Sequence, residues 1–243
     1  MRIDTYFTLP ELDGTSFTDS AVVVIDVVRA TTTIIEALAN GARTIFPTES
    51  TEDAVRLASS LGREDSLLCG ERKGEKVEGF DLGNSPSEFS RQVVEDKKLV
   101  MSTTNGTRAL IAAQEAARVL PCALTNLGAV AGVLSSAEHI AVICAGREDR
   151  FCLEDALCAG HLIERILKLK GDGGDEIELN DASRAARAVA QARKATKRML
   201  SLAAGGRAVI EIGLEGDLAI CADVDRHDIV VEMQDQQIIR AGA

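Results

Sequence analysis

Short apolar segments rich in β-branched residues alternate with amphipathic segments along the first two thirds of the chain. The strand-like segments are RIDTYF, AVVVIDVV, RTIF, SLLC, KLVMS, RVLPC and HIAVIC, and the helix-like ones are TTTIIEALANG, STEDAVRLASSLG, SPSEFSRQVVED and GTRALIAAQEAARV. Alternation at this spacing indicates βαβ crossovers, in which helices cover both faces of a sheet. We therefore predict an α/β protein, a three-layer α/β/α sandwich with a mostly parallel or mixed central sheet.

The pattern becomes helical from about residue 154. Two long helices are predicted, EDALCAGHLIERILKLK and NDASRAARAVAQARKATKRML, joined by a flexible loop at 171–176, and the C-terminal tail should return to one or two short strands. No Pro- or Ser-rich linker, repeat or low-complexity segment divides the chain. We expect one domain over residues 1–243, with a mainly helical segment at about 154–203.

Composition narrows the possible partners. The formal net charge of −11 argues against nucleic acid or an anionic membrane surface as a partner, although a local cationic pocket remains compatible with it. No apolar run approaches 18 residues, and the first residues lack the apolar core of a signal peptide. We expect a soluble, cytoplasmic protein whose partner is a small molecule. Assembly into a homo-oligomer is left open.

The six cysteines and three histidines suggest no zinc site or catalytic triad. No CxxC occurs, most cysteines lie in apolar contexts, and we predict that they are free and buried. His139, His161 and His227 fall on unrelated elements, which argues against a histidine-based triad. The chain has no GxSxG elbow, GxGxxG fingerprint or Walker P-loop.

Ligands of such sheets bind beyond the carboxyl ends of the strands, and the junction after VVVI is unusually polar there. Asp26 follows a strand that should be buried, Arg29 comes three residues later, and Thr31, Thr32 and Thr33 open a helix. Backbone N–H groups, hydroxyls and Arg29 can hold an oxyanion, and a divalent cation would explain a carboxylate beside it. The alternative is structural: Asp26 pairs with Arg29, and Thr31 caps the helix.

A second hydroxyl-rich junction follows the strand KLVM. It reads Ser102-Thr103-Thr104-Asn105-Gly106-Thr107, a composition typical of an anion-binding nest at a helix start. An ordinary N-cap and turn is the alternative.

Residues 69–86 form a long connection with glycines at 70, 74, 79 and 83. Arg72 and Lys73 supply positive charge, and Asn84 and Ser85 stand at its end as further candidates for contacting a substrate. Long connections of this kind are often binding loops, although a solvated surface loop is the alternative.

The fourth junction is CAGREDRFCLED after the strand HIAVIC. Glu154 and Asp155 should lie in the first turn of the next helix, where acids interact favourably with the helix dipole. In the functional interpretation, one or both join Asp26 around Mg²⁺, which prefers a few carboxylates together with waters and phosphate oxygens.

Several of these motifs occur together in a known family. VVIDVVRATTTI, GERKGEKVEGFDLGNSPSEF, STTNGTRAL and CAGREDRFCLEDALCAG, in this order and spacing, resemble the 2-phosphosulfolactate phosphatases, and GLEGDLAICADVDRHDIV resembles their closing segment. The likeness covers nearly the whole chain. One departure is HDIVVEM, which has no proline after the valines.

The resemblance implies an α/β/α fold and a Mg²⁺-dependent phosphoric monoester hydrolase. It would convert (2R)-2-phospho-3-sulfolactate to 3-sulfolactate and phosphate, a step of coenzyme M biosynthesis. In this hypothesis the catalytic residues are Asp26, Arg29 and Asp155, with Mg²⁺ held by Asp26 and Glu154 or Asp155. The residues predicted to bind phosphate or the other anionic groups of the substrate are Thr31, Thr32, Arg72, Lys73, Asn84, Ser85, Thr103, Thr104, Asn105, Gly106 and Thr107.

The sequence is compatible with several alternatives. The nucleophile is either a water molecule or Asp26, which would give an aspartyl-phosphate. The substrate could be another 2-hydroxy-acid phosphate, or the chain could bind a phosphometabolite without turnover. A thiol phosphatase based on Cys144 is weaker, because Arg147 follows it by only three residues and no CX5R loop occurs.

Overall fold

The computed structural model describes residues 1–171 and 177–242. Apart from Gly171, the predicted flexible connection at 171–176 lies outside the described residues. Within them, no helix combines the length and the apolar character needed to cross a bilayer.

A single mixed sheet runs through the described residues. Its strands are β1 (Arg2–Tyr6), β2 (Ala21–Ile25), β3 (Thr44–Pro47), β4 (Ser66–Arg72), β5 (Glu75–Lys76), β6 (Lys98–Ser102), β7 (Arg118–Cys122), β8 (His139–Cys144), β9 (Glu178–Leu179), β10 (Val231–Gln234) and β11 (Gln237–Arg240). Their order is β5-β4-β6-β3-β11-β10-β7-β2-β8-β1-β9. The β10–β11 hairpin, formed by the C-terminal tail, is inserted antiparallel between two parallel groups, β4-β6-β3 and β7-β2-β8-β1-β9.

Helices cover both faces of this sheet. They are α1 (Ala30–Ala39), α2 (Thr51–Leu61), α3 (Arg91–Val94), α4 (Gly106–Ala112), α5 (Leu127–Leu134), α6 (Leu153–Lys170), α7 (Asp181–Ala192), α8 (Lys197–Leu202), α9 (Ala204–Glu211) and α10 (Asp217–Cys221). Short 3₁₀ turns occur at Leu9–Leu12, Pro86–Glu88 and Leu124–Asn126.

The packing of β2 shows the three layers directly. Side chains alternate across a strand, and here Val22 and Val24 belong to one apolar cluster while Val23 and Ile25 belong to another. The first cluster includes residues of α1 and α4, and the second includes residues of α5 and α6. The predicted α/β sandwich is confirmed.

Three predicted helices differ from the structure. The one at 85–96 is divided into the turn Pro86–Glu88 and α3, because Phe89 between them leaves helical geometry with its side chain fully buried. The one at 180–200 is divided into α7 and α8, since Thr196 caps a new helix by accepting from Met199 N. The one at 106–119 ends at Ala112, before β7 begins at Arg118.

The connection at 69–86 is more ordered than a loop. β4 continues to Arg72 and turns into β5, so that Arg72 pairs with Glu75 across a short hairpin. The hairpin places Lys73 and Gly74 at its tip. All six cysteines are free and buried, as the sequence predicted.

Candidate functional site

A cavity of about 70 Å³ lies beyond the carboxyl ends of β2, β4, β6 and β8. Its walls are Asp26, Val28, Arg29, Glu71, Lys73, Gly74, Asn84, Thr104, Asn105, Arg147, Glu148, Ala208, Val209 and Ile212. A smaller cavity of about 20 Å³ adjoins it and shares Asp26, Val28, Asn105 and Arg147. Gly146, Cys152, Glu154, Asp155 and Gly205 complete the smaller cavity. The four polar junctions of the sequence therefore meet at one edge of the sheet.

Asp26 is the residue that immediately follows β2, and its side chain is buried. Its Oδ1 accepts a hydrogen bond from Ala30 N at 3.3 Å. Gly106 packs so closely on the other side that a Cβ there would lie 2.8 Å from Asp26 Oδ2. Burial raises the pKa of Asp26 to about 7, and the nearby charges of Glu71 and Glu154 contribute to this rise.

Asp155 and Glu154 come from the first turn of α6. Asp155 ties two strand ends together, because its Oδ1 accepts from Val27 N at 2.9 Å and its Oδ2 from Gly146 N at 3.2 Å. Glu154 Oε1 accepts from Gly205 N at 2.8 Å, whereas its Oε2 is buried without a hydrogen-bond partner in the described residues. Burial raises the pKa of both carboxyls. We call Asp26, Glu154 and Asp155 the carboxylate floor.

The carboxylate floor suits a hard divalent cation. Three oxygen-donor side chains line a space large enough for about one water-sized occupant, and Glu154 Oε2 faces no other partner among the described residues. No three His, Cys, Asp or Glu side chains of the described residues enclose an ion on their own. An ion here would therefore keep water or substrate oxygens as ligands, which is the usual coordination of Mg²⁺.

Glu71 is a buried carboxylate of the cavity that the sequence did not single out. Its Oε1 accepts from Thr104 N at 2.7 Å, and its Oε2 accepts from Gly74 N at 2.7 Å and from Thr104 Oγ1 at 3.2 Å. Glu71 thus joins the β4–β5 hairpin to the loop before α4. It also occupies the Thr104 N–H group that the predicted anion nest would have offered to a ligand.

Three cationic side chains line the larger cavity. Arg29 is buried and already paired, since its Nη1 lies 2.8 Å from Asp217 Oδ2 and its Nη2 donates to Gly74 O at 2.7 Å. Lys73 and Arg147 make no side-chain hydrogen bond or ion pair with any residue in the described ranges. We call Lys73 and Arg147 the cationic rim. The sequence signal for Arg147 was its place directly after Gly146 at the end of a strand.

Most of the predicted hydroxyl ligands bond to the protein itself. Thr31 and Thr32 donate to the carbonyl oxygens of Asp26 and Val27 at 2.9 and 2.8 Å. Thr103 and Thr107 cap each other, with each backbone N–H donating to the other hydroxyl at 3.1 and 3.0 Å. None of these four threonines lines the cavities.

The remaining predicted residues divide in the same way. Asn84, Thr104 and Asn105 line the larger cavity, and Asn84 Oδ1 is buried without a partner among the described residues. Arg72 instead donates to Ser102 Oγ at 2.8 Å, and Ser85 donates to Asp217 Oδ1 at 2.5 Å. Neither reaches a cavity wall.

Comparison with known proteins assigns the chain to a family. The sequence model of a family described as 2-phosphosulpholactate phosphatase matches residues 6–236. The chain belongs to this family. A probable 2-phosphosulfolactate phosphatase of Clostridium perfringens (strain 13 / Type A) is 38% identical over 242 residues, covering 98% of this chain and 96% of the relative. One of Synechococcus sp. (strain CC9605) is 38% identical over 241 residues, with 98% of each chain covered.

Family membership confirms the resemblance seen in the sequence motifs and makes the chain an enzyme of the phosphoric monoester hydrolase class. A more distant relative supports the same assignment. It is a probable 2-phosphosulfolactate phosphatase of Caldanaerobacter subterraneus subsp. tengcongensis, 35% identical over 238 residues and covered to 96% in each chain.

Proposed function

We propose that this chain hydrolyses 2-phospho-3-sulfolactate to 3-sulfolactate and phosphate with the help of Mg²⁺. The observation that carries the proposal is the meeting, in adjoining cavities, of three buried carboxylates with two cations that have no ion-pair partner among residues 1–171 and 177–242. The names of its relatives supply the substrate. A role in coenzyme M biosynthesis and a cytoplasmic location stay predictions.

The carboxylate floor would hold the Mg²⁺ ion through Asp26 and Glu154, with Asp155 at the same cavity. When bound, the ion would neutralise charge on the phosphoryl oxygens and lower the pKa of a water molecule. Glu154 Oε2 supports this assignment best, because a buried carboxylate oxygen without a donor is costly unless a cation faces it.

The cationic rim would bind the anionic groups of the substrate. This substrate carries a carboxylate and a sulfonate in addition to its phosphate, and each needs a positive partner in a buried site. Lys73 and Arg147 line the same cavity as Asp26, and within the described part of the chain no carboxylate neutralises their charges. Asn105 Nδ2, which has no partner in the described part of the chain, could donate to a phosphoryl oxygen.

A water molecule is the nucleophile in this proposal. Ala30 N donates to Asp26 Oδ1 and holds the carboxyl in one orientation, which suits a metal ligand. Incubation with substrate labelled in the phosphate, followed by acid quenching, tests the alternative. Label that stays covalently on the protein would assign the attack to Asp26 instead.

The proposal is tested by phosphate release from purified protein with Mg²⁺ and after removal of divalent cations with EDTA. We expect release from 2-phospho-3-sulfolactate that EDTA abolishes and Mg²⁺ restores. Phospholactate and phosphoglycerate are assayed in parallel, and faster release from either would replace the proposed substrate. Binding without release from all three would favour a non-catalytic binding protein.

A further inference from the structure

Arg29 is held by a residue near the other end of the chain. Asp217 begins α10, 188 residues later, and its Oδ2 lies 2.8 Å from Arg29 Nη1. Both side chains are only 3% exposed. Ser85 donates to the other oxygen of Asp217 at 2.5 Å. Both carboxylate oxygens of Asp217 are therefore hydrogen-bonded, one to Arg29 and the other to Ser85.

Arg29 in turn holds the tip of the β4–β5 hairpin. Its Nη2 donates to Gly74 O at 2.7 Å, while Gly74 N donates to Glu71 Oε2 at 2.7 Å. Gly74 is thus fixed through both of its backbone polar groups. Gly74 also lies close to Ile212, the residue directly after α9, since a Cβ at Gly74 would lie 3.1 Å from Ile212 Cδ1.

Lys73 lies next to Gly74 and lines the larger cavity. It precedes Gly74 at the hairpin tip, has a backbone φ of 55°, and is exposed at the cavity. A non-glycine residue in this conformation depends on its surroundings to keep it there. The contacts of Gly74, the next residue, help to keep it there, together with the pairing of Arg72 with Glu75 on the other side.

We propose that Asp217 is a positioning residue: it orients Arg29, and Arg29 orients the hairpin tip that directs Lys73 towards the substrate. The guanidinium supports this assignment because its planar, forked donors can satisfy a carboxylate and a carbonyl at once. Arg29 then serves as a link between α10 and the hairpin. The structural part of the inference is independent of the reaction, and its kinetic part rests on the proposed function.

Hydrogen exchange tests the structural part without any substrate. In Asp217→Asn, we expect the amides of residues 71–76 to exchange about tenfold faster than in the wild type, because a local opening becomes easier. Asp223→Asn is the matched control, since Asp223 pairs with Arg226 in the same C-terminal region but on the surface. Equal protection of the hairpin in Asp217→Asn and wild type would overturn the inference.

Steady-state kinetics test the second part. Asp217→Asn should raise KM about tenfold and change kcat less than about threefold, because the lost interaction concerns substrate binding. In a Lys73→Met background the same substitution should add little, since the side chain through which it acts is gone. Independent, multiplicative effects of the two substitutions would show that Asp217 acts by another route.

A buried arginine without its partner can prevent folding, so a milder variant accompanies this one. Ser85→Ala removes one hydrogen bond to Asp217 and leaves the ion pair in place. For Ser85→Ala we expect faster hydrogen exchange of residues 71–76 and a higher KM, each at about a third of the size expected for Asp217→Asn. If Asp217→Asn does not fold, unchanged hairpin exchange in Ser85→Ala would refute the positioning role. If no phosphatase activity is found in the wild type, the exchange result still decides the structural part.

Discussion

The carboxylate floor and the cationic rim of the cavities are built in opposite ways. Each floor side chain is at most 8% exposed and accepts at least one backbone hydrogen bond from another segment or turn. The rim side chains stand on the connections after β4 and β8, and neither has a partner among the described residues. The floor is fixed by the fold, whereas the rim keeps freedom to follow a ligand.

This difference indicates a division of roles. Burial raises the pKa of all three floor carboxyls, so their ionised forms are unfavourable unless a positive charge lies beside them. Carboxyls with strongly shifted pKa values are typical of functional sites, and in the proposed function these three would face a cation. Changes in the floor should therefore alter turnover, and changes in the rim should alter substrate binding.

Among the substitutions that test this division of roles, Asp26→Asn should have the largest effect on phosphate release. We expect phosphate release to fall about 10²–10³-fold, the size of losses seen when a preorganised electrostatic contact to the reacting group is removed. The free energy of unfolding, measured in urea without divalent cations, should stay equal or rise, because an amide replaces a buried carboxyl that is costly to ionise.

Asp225→Asn is the control for that change, since Asp225 forms an ion pair with Arg165 outside the cavities. It should leave phosphate release unchanged. A loss of stability in Asp26→Asn, with activity per folded molecule retained, would make Asp26 a structural residue.

Gly205→Ala tests how tightly the floor is held. A Cβ at this position would lie 2.2 Å from Glu154 Oε1, the atom that accepts the hydrogen bond from Gly205 N. We expect a loss of about 1–3 kcal/mol in the free energy of unfolding, as for other overpacked sites. Phosphate release should fall by up to about 100-fold, since displaced catalytic groups lose their alignment.

Gly132→Ala, in α5, provides the comparison. A Cβ there would meet no atom within 4 Å, so the better helix propensity of alanine should stabilise the chain by up to about 1 kcal/mol. If both substitutions are equally well tolerated, the contact between Gly205 and Glu154 does not hold the floor.

Substitutions in the rim should affect binding instead. Lys73→Met and Arg147→Met should each raise KM about tenfold, with kcat changed less than about threefold, because they remove charge from substrate contacts. Arg150→Met is a matched control, since Arg150 is exposed nearby but lines neither cavity. A fall in kcat at unchanged KM would show that the substituted side chain acts in the transition state. The rim would then have the same role as the floor.

The same contrast explains what could be predicted from the sequence. The floor was predicted because its acids stand directly after a strand or in the first turn of a helix, and parallel strands place these positions at one edge. The fold class could be predicted because strand-like and helix-like segments alternate along the first two thirds of the chain. The structure adds that Asp155 bonds to the ends of both β2 and β8, a tertiary detail that local sequence does not encode.

Other parts of the site could not be predicted, for two physical reasons. The contacts of Asp217 with Arg29 and of Glu71 with Thr104 join residues 188 and 33 positions apart, and they depend on how connections pack. The threonines at 31 and 32 were assigned to phosphate because of their composition. Their hydroxyls instead bond to nearby carbonyls, a local competition that is common for threonine at helix starts.

Glu36→Gln should have the smallest effect on activity, and it tests whether a change within α1 alters the floor at all. Burial alone would raise the pKa of Glu36, but hydrogen bonds from His227 and Arg226 outweigh it and hold the pKa below the usual 4.5. The folded chain therefore gains stability from this carboxylate above about pH 4.5, and loses it as the pH falls through the lowered pKa.

We expect Glu36→Gln to lower the free energy of unfolding by about 1–3 kcal/mol at pH 7, because it weakens a charged hydrogen-bond cluster with little exposure. The difference in the free energy of unfolding between Glu36→Gln and the wild type should become smaller below about pH 4.5. At pH 7, kcat and KM should stay within about twofold of the wild-type values. Glu95→Gln, which breaks an exposed pair with Arg91, should change stability little at any pH. A gap that stays constant with pH would show that Glu36 stabilises by packing. A large loss of kcat would show that α1 transmits changes at Glu36 to Asp26, and that the floor is less rigid than its hydrogen bonds indicate.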